Sequence, residues 1–171
     1  EKKTSRKLTK ISGGSTAALQ LLYRDELPAE INNFRIGEAI LLGTDTTNDV
    51  EIEQLNKDTM LFCAEIIELK EKPTVPVGKI GKDAFGRDPV FVDRGIRKKV
   101  ILDVGEQDIF PSGLKPIDKN IKVIHASGDH LICDVTDCDK ALHLGDEIVF
   151  KMTYGCMMRA MNSEYIKKIY L

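Results

Sequence analysis

Two glycine-bearing segments, spaced about one βα unit apart, constrain the fold of this chain more than any other feature. The first, residues 11–16 (Ile-Ser-Gly-Gly-Ser-Thr), is typical of a strand end, a tight turn and the start of a helix. Free backbone N–H groups and the helix dipole favour a phosphate there. The second, residues 34–43, places Arg35 at a strand end and Gly37 two residues later, where backbone can approach a ligand closely. Together, the segments predict a cup for a phosphate-bearing cofactor.

The same residues also have simpler explanations. Ser15 and Thr16 are typical of a helix N-cap after a glycine turn, and such caps are common. Arg35 by itself is typical of a surface arginine at a strand end. The combination favours the cofactor cup, because the hydroxyls and unpaired amides of the first turn can all donate to phosphate oxygens.

The pattern around these segments predicts βα units. Residues 7–11 and 33–36 are strand-like, and a helix is expected from residue 16 to about 24. Two parallel strands cannot form a domain alone, because a parallel sheet is covered on both faces. The chain also begins with Glu1 and not with methionine. We therefore expect an α+β fragment whose residues 1–45 are the end of a larger barrel domain.

A polar linker is predicted at residues 46–56. After it, the sequence consists of runs rich in Val, Ile and Leu that are separated by glycines. This pattern is typical of an all-β barrel or sandwich, which we place at residues 57–171. The predicted strands are residues 60–69, 89–92, 96–104, 121–125, 131–135, 147–153 and 165–171.

The glycine segments are similar to the last barrel units of the alanine racemase family, and to its ornithine racemase-like branch in particular. Residues 126–137, which contain Ser-Gly-Asp-His and then Asp-Val-Thr-Asp, resemble that family's β-domain stretch, usually Ser-Met-Asp-Gln and then Asp-Val-Thr-Asp. The resemblance implies a (β/α)8 barrel that binds pyridoxal 5'-phosphate, followed by a C-terminal β-domain. It implies that a free amino acid is racemised by removal and return of its Cα proton, in a homodimer whose subunits share the active site.

The resemblance also implies roles for individual residues. Ser15, Gly37 and the amide of Glu38 match the family's phosphate-binding positions. Arg35 matches the arginine that faces the pyridine nitrogen, and Tyr154 matches a late tyrosine whose hydroxyl reaches the phosphate. The lysine that carries the cofactor lies near the start of the family's barrel, outside this chain, so we expect the chain alone to be inactive.

The predicted catalytic and substrate-binding residues lie in the β-domain. Glu106 stands where the family has its catalytic tyrosine, and Asp108 keeps the family's aspartate. Glu106 is expected either to move a proton or to bind a substrate ammonium group, and the alternative is that both are ordinary loop acids. Asp129 and His130 are further catalytic candidates, and Gly128 lies where the family's backbone holds the substrate carboxylate.

Composition excludes several other classes of protein. The net charge is −2, so we expect no nucleic-acid partner, and the basic cluster at residues 2–10 is explained as a solvated terminus. No apolar run approaches the length of a membrane span, and we expect a cytoplasmic protein. His130, Cys133 and Cys138 have a weak zinc-like spacing, but no second compact ligand pair completes it, so we predict no metal.

Two other functions remain open on the sequence. One is a non-catalytic β-barrel interaction module, in which the glycine loops are mere turns. The other is a related metal-assisted D-amino-acid aldolase or dehydratase, which the weak Cys/His spacing argues against.

Overall fold

The structure is a computed structural model that describes residues 7–83 and 85–171, and it divides into two compact units after Met60. The first unit contains a 3-10 turn, two short helices and one small antiparallel hairpin. These elements are the turn Thr16–Ala18, helices α1 (Leu19–Tyr23) and α2 (Glu38–Leu42), and strands β1 (Thr44–Asp45) and β2 (Val50–Glu51).

The two segments predicted as parallel strands lie side by side and parallel, but they form a single bridge between Ser12 and Asn33. The Asn32 side chain strengthens this contact, since its Oδ1 accepts from the Ile11 N–H at 3.0 Å and its Nδ2 donates to the Thr9 carbonyl at 3.0 Å. Within the described residues, neither segment has another strand beside it. The helix predicted from residue 16 is present, ending at Tyr23.

The segment predicted as a linker, residues 46–56, packs on the first unit instead. Ile52 is buried in a cluster with Leu19 and Ala39, and Leu55 packs against that cluster. The Ile52 N–H donates to the Gly43 carbonyl at 2.8 Å. The mostly polar composition of this segment predicted a linker, although Ile52 is buried and Leu55 is partly buried.

The second unit is a six-stranded antiparallel sheet in the order β5-β8-β3-β4-β7-β6. Its strands are β3 (Phe62–Pro73), β4 (Ile96–Leu102), β5 (Leu114–Pro116), β6 (Lys122–Ala126), β7 (Leu131–Asp134) and β8 (Glu147–Met152). The edge strands β5 and β6 contact each other, so the sheet curls into a nearly closed barrel. Bulges at Ile67 in β3 and Ile124 in β6 assist this curvature, because a bulge bends and twists its strand. The predicted fold class is confirmed.

Alternation along the strands explains the barrel interior. In β3, Phe62, Ala64 and Ile66 are buried while the residues between them face solvent. The Phe62 ring lies 6.4 Å from that of Phe150, which is fully buried in β8. Burial of Cys133 in β7 raises the pKa of its thiol to about 12, so this cysteine is a neutral core residue.

Helix α2, the β1–β2 hairpin, strand β5 and helix α3 were not predicted from the sequence, and two predicted strands do not form. Strand β5 has three residues, too few for a periodic signal. Helix α3 (Tyr154–Asn162) buries Cys156, Met157 and Ala160 at helical spacing, although its first turn contains Gly155. Residues 89–92 and 165–171 form neither helix nor strand. Residues 74–95 are one long connection without regular structure among those described.

Candidate active site

Two hydrogen bonds join the two glycine-bearing segments of the first unit. The Arg35 N–H donates to the Gly14 carbonyl at 2.9 Å, and the Ala39 N–H donates to Thr16 Oγ1 at 3.2 Å. These bonds flank Ser15 on one segment and Gly37 on the other. The predicted residues of the cup are therefore neighbours in the fold.

Donor groups of the cup remain available for a ligand. Ser15 is exposed, and its side chain makes no cap hydrogen bond, so its hydroxyl is not consumed by the helix it precedes. In the described part of the chain, the N–H groups of Gly37 and Glu38 donate to no backbone or side-chain acceptor. A Cβ placed on Gly37 would have no heavy atom within 4 Å, so space lies beside this backbone.

Glu38 contributes to the cup through its backbone alone. Its carboxylate is buried and accepts hydrogen bonds from the Thr44 hydroxyl at 2.7 Å, the Thr46 N–H at 2.9 Å and the Thr46 hydroxyl at 2.6 Å. These bonds fasten α2 to the hairpin that follows it. The acid is structural, a role that sequence reasoning missed.

Arg35 is exposed, and among the described residues its guanidinium has no hydrogen-bond or ion-pair partner. A guanidinium does not give up its proton, so this side chain can donate to a neutral ring nitrogen. The hydroxyl of Ser15 and the two free amides at the start of α2 are all hydrogen-bond donors. They form the donor set that a phosphate needs. The residues present therefore fit pyridoxal 5'-phosphate.

A loop cluster in the second unit, residues 105–108 together with the turn at residues 127–130, brings together most of the predicted catalytic residues. The Glu106 N–H donates to the Ser127 carbonyl at 2.8 Å, and the Gln107 N–H donates to the Gly128 carbonyl at 3.1 Å. The approach is close enough to require glycine, since a Cβ on Gly105 would lie 2.1 Å from the Gly128 oxygen. Residues about 20 positions apart in the chain thus meet.

The Glu106 carboxylate is paired with an arginine that the sequence analysis did not single out. Arg87 Nη2 lies 2.5 Å from Glu106 Oε1, and Arg87 Nη1 lies 3.4 Å from Oε2. Arg87 Nε also donates to Asp83 Oδ2 at 2.6 Å. Hydrogen bonding to Glu106, and then to Asp83, raises the pKa of Arg87. No local pattern in the sequence signals this pairing, because Arg87 and Glu106 are 19 residues apart.

Asp108 has a different environment from the one predicted for a substrate contact. It is 4% exposed, and its carboxylate accepts from the Ser163 hydroxyl at 2.5 Å. Its N–H donates to the Gly105 carbonyl at 3.0 Å. Within this chain, Asp108 anchors the segment that follows α3 instead of facing solvent.

Asp129 and His130 are exposed at the tip of the β6–β7 turn. The turn is closed by the Ser127 N–H, which donates to the His130 carbonyl at 2.8 Å, and by the His130 N–H, which donates to Ser127 Oγ at 3.2 Å. In the part of the chain that the structure describes, neither the Asp129 carboxylate nor the His130 imidazole has a hydrogen-bond partner. Both side chains are accessible to a ligand, and a Cβ on Gly128 would meet nothing within 4 Å.

Tyr154 is the first residue of α3 and is half-buried. Its hydroxyl has no hydrogen-bond partner among the described residues. The hydroxyl is therefore available to an external acceptor.

The Asp-Val-Thr-Asp stretch, residues 134–137, is a structural clamp. Arg97 Nε donates to Asp134 Oδ2 at 2.8 Å, and Arg97 Nη2 donates to Asp137 Oδ2 at 2.7 Å. The other oxygen of Asp134 accepts from the Thr136 N–H at 2.9 Å and hydroxyl at 2.7 Å. Burial of Asp134 opposes its ionisation, but the bonds from Arg97 and Thr136 outweigh it and lower the pKa of Asp134.

Metal ligands and membrane-spanning helices were also considered in the sequence predictions. The described residues contain no group of three or more His, Cys, Asp and Glu side chains placed to hold a metal ion. None of their helices is long and apolar enough to cross a membrane.

Comparison with known proteins gives close relatives of this sequence. No protein-family model matches the chain. It is 52% identical over 160 residues to a lysine racemase from Thermotoga maritima, covering 94% of this chain and 45% of that protein. It is 45% identical over 158 residues to an ornithine racemase from Acetoanaerobium sticklandii, covering 92% of this chain and 45% of that protein. The chain thus spans slightly under half the length of these relatives.

Solved structures agree on the fold. An alanine racemase from Acinetobacter baumannii matches with a TM-score of 0.52 at 20% identity, covering 84% of this chain and 39% of that one. A D-threonine aldolase from Filomicrobium marinum matches with a TM-score of 0.56 at 15% identity, covering 92% of this chain and 36% of that one. The relatives and the fold confirm the resemblance from which the site was predicted.

Proposed function

We propose, from the homology of this chain to lysine and ornithine racemases of the alanine racemase family, that the whole protein is a pyridoxal 5'-phosphate-dependent racemase of a cationic amino acid. The observation that carries the proposal is identity of 52% and 45% to those relatives over more than nine-tenths of this chain. In this proposal, residues 1–45 complete the cofactor-binding barrel and residues 57–171 form the C-terminal β-domain.

The cup would hold the cofactor. The Ser15 hydroxyl and the amides of Gly37 and Glu38 would bind the phosphate. Tyr154 is proposed as a further phosphate donor on the family resemblance alone. Arg35 would donate to the pyridine nitrogen without protonating it, which limits how strongly the ring withdraws electrons. When bound, the cofactor supplies the electron withdrawal that makes the substrate Cα–H acidic.

The loop cluster would handle the substrate. The Glu106 carboxylate, which Arg87 contacts in this chain, is an acceptor suited to a cationic group. We assign Glu106 to the distal ammonium of lysine or ornithine. The exposed imidazole of His130, beside Asp129, is the candidate for moving the Cα proton, because histidine exchanges protons near neutral pH. The backbone at Gly128 would bind the substrate carboxylate.

The proposal includes a cytoplasmic homodimer in which the β-domain of one subunit closes the barrel mouth of the other. The dimer is proposed because the cup and the loop cluster lie in separate units of the chain. Analytical ultracentrifugation of the whole protein tests it: a dimer is expected, and a fully active monomer would contradict the shared site.

The decisive experiment uses the whole protein purified with pyridoxal 5'-phosphate. Incubation with L-lysine, L-ornithine or L-alanine in deuterated water should incorporate deuterium at Cα and abolish optical rotation. Cofactor-loaded protein that racemises none of these amino acids would overturn the proposal. The likeness to D-threonine aldolase, at 15% identity, is one of fold alone.

A further inference from the structure

The long connection between β3 and β4, residues 74–95, covers part of the outer face of the sheet. Between them lies a cavity of about 1120 Å³. Its lining includes apolar side chains of the sheet, such as Ile101 and Ile132, and three charged residues that contact one another: Asp83, Arg87 and Glu106. The volume is ample for an amino-acid side chain, since small-molecule sites occupy roughly 300–1000 Å³.

Arg87 is shared between two carboxylates. Its Nε lies 2.6 Å from Asp83 Oδ2, and its Nη2 lies 2.5 Å from Glu106 Oε1. The Asp83 side chain is 8% exposed and the Glu106 side chain 17%. The backbone N–H of Arg87 also donates to Asp83 Oδ1 at 2.9 Å, which keeps this partner fixed. Arg87 would therefore keep a carboxylate partner if it released Glu106.

The charges of this triad do not cancel. Two carboxylates and one guanidinium leave one negative charge on the triad itself, while Lys79 and Lys99 line other parts of the cavity. One further cation would balance it. Other acids lining the cavity already have lysine partners: Asp88 lies 2.6 Å from Lys82, and Glu68 pairs with Lys72. Asp83 and Glu106 share Arg87, but Asp83 also accepts from the backbone N–H groups of Phe85 and Arg87, so Glu106 is the acid of the pair that Arg87 can release.

We propose that Arg87 is a specificity-determining residue that occupies the place of the substrate's distal ammonium on Glu106 and yields it when a cationic amino acid binds. Arg87 then stays with Asp83, so both carboxylates are paired before and after binding, and the triad together with the bound ammonium has no net charge. With a neutral amino acid, Arg87 remains on Glu106. This inference rests on the proposed racemase function.

The test compares two variants of the whole protein with opposite expectations. Arg87→Met removes the competing cation and should lower the KM for lysine. The ratio of kcat/KM for lysine over alanine should rise about 2- to 5-fold, the range of a partly exposed charge pair. Asp83→Asn weakens the alternative partner, leaves Arg87 on Glu106, and should lower the same ratio. The side-chain amide of this variant can still accept the two backbone bonds of the turn through its oxygen.

Lys82→Met is the matched control, because it breaks an exposed ion pair of the same connection. It should leave the substrate ratio as in the wild type. Arg87→Gln provides a second, polar replacement if the methionine variant folds poorly. If Arg87 and Asp83 only stabilised the fold, both variants would change kcat/KM in the same direction, and by as much for alanine as for lysine. That result would overturn the proposal. Wild-type protein inactive on every amino acid would instead refute the racemase function itself.

Discussion

Replacing Asp134 by asparagine tests the clamp at residues 134–137. The carboxylate of Asp134 is 6% exposed and accepts a charge-assisted bond from Arg97 Nε at 2.8 Å. The asparagine amide has only one oxygen. If this oxygen accepts from Thr136, the amide N–H group faces Arg97. If it accepts from Arg97 instead, the bonds to Thr136 are lost. The loss of a charge-assisted bond costs about 1.5–3 kcal/mol, and a donor facing a donor adds about 1 kcal/mol. We expect Asp134→Asn to lower the free energy of unfolding by about 2–4 kcal/mol.

Urea unfolding of the chain, followed by far-ultraviolet circular dichroism, measures this change as a lower midpoint at unaltered slope. Asp137→Asn is the matched control: Asp137 also binds Arg97, but its side chain is 47% exposed, so a much smaller shift is expected. Equal midpoints for wild type and Asp134→Asn would refute the reasoning, as would equal shifts for the two variants.

The clamp also predicts a pH dependence. The pKa of Asp134 is lowered in the folded chain, so its contribution is fully present above the unfolded pKa of about 3.9. The contribution is lost as pH falls through the folded value, because protonation removes the acceptor charge. The difference between wild type and Asp134→Asn should therefore be constant from about pH 5 to 8 and shrink below about pH 4. A difference that grows on acidification would have the wrong sign.

Three further predictions concern the candidate site in the whole protein. Ser15→Ala should weaken binding of pyridoxal 5'-phosphate by about 1–3 kcal/mol in a titration, whereas Ser12→Ala, on the same segment, should not. Glu106→Gln should raise the KM for lysine more than that for alanine with little change in kcat; an equal fall in kcat for both would indicate proton transfer instead. Gly105→Ala forces a Cβ to within 2.1 Å of the Gly128 oxygen and should lower the unfolding temperature, unlike Gly81→Ala, where a Cβ has no neighbour within 4 Å.

Much of the fold follows from local sequence. Val-, Ile- and Leu-rich runs between glycines predicted β3, β4, β6, β7 and β8, because each of these strands places apolar side chains in the barrel interior. The glycine turns identified the start of the first helix and the second segment of the cup. The Asp-Val-Thr-Asp stretch was recognised from its resemblance, although its structural role as a clamp was not predicted.

The sequence by itself determined which residues carry donors and acceptors and where the main strands run, since those depend on residue type and short-range periodicity. The tertiary structure alone decided which of them meet. Pairing of Glu106 with Arg87, burial of Asp108 against Ser163, and packing of Ile52 on the first helix all join residues far apart in the chain. Their partners are chosen by strand order and loop path, which no local pattern encodes, and the same contacts set the charge and accessibility of each candidate group.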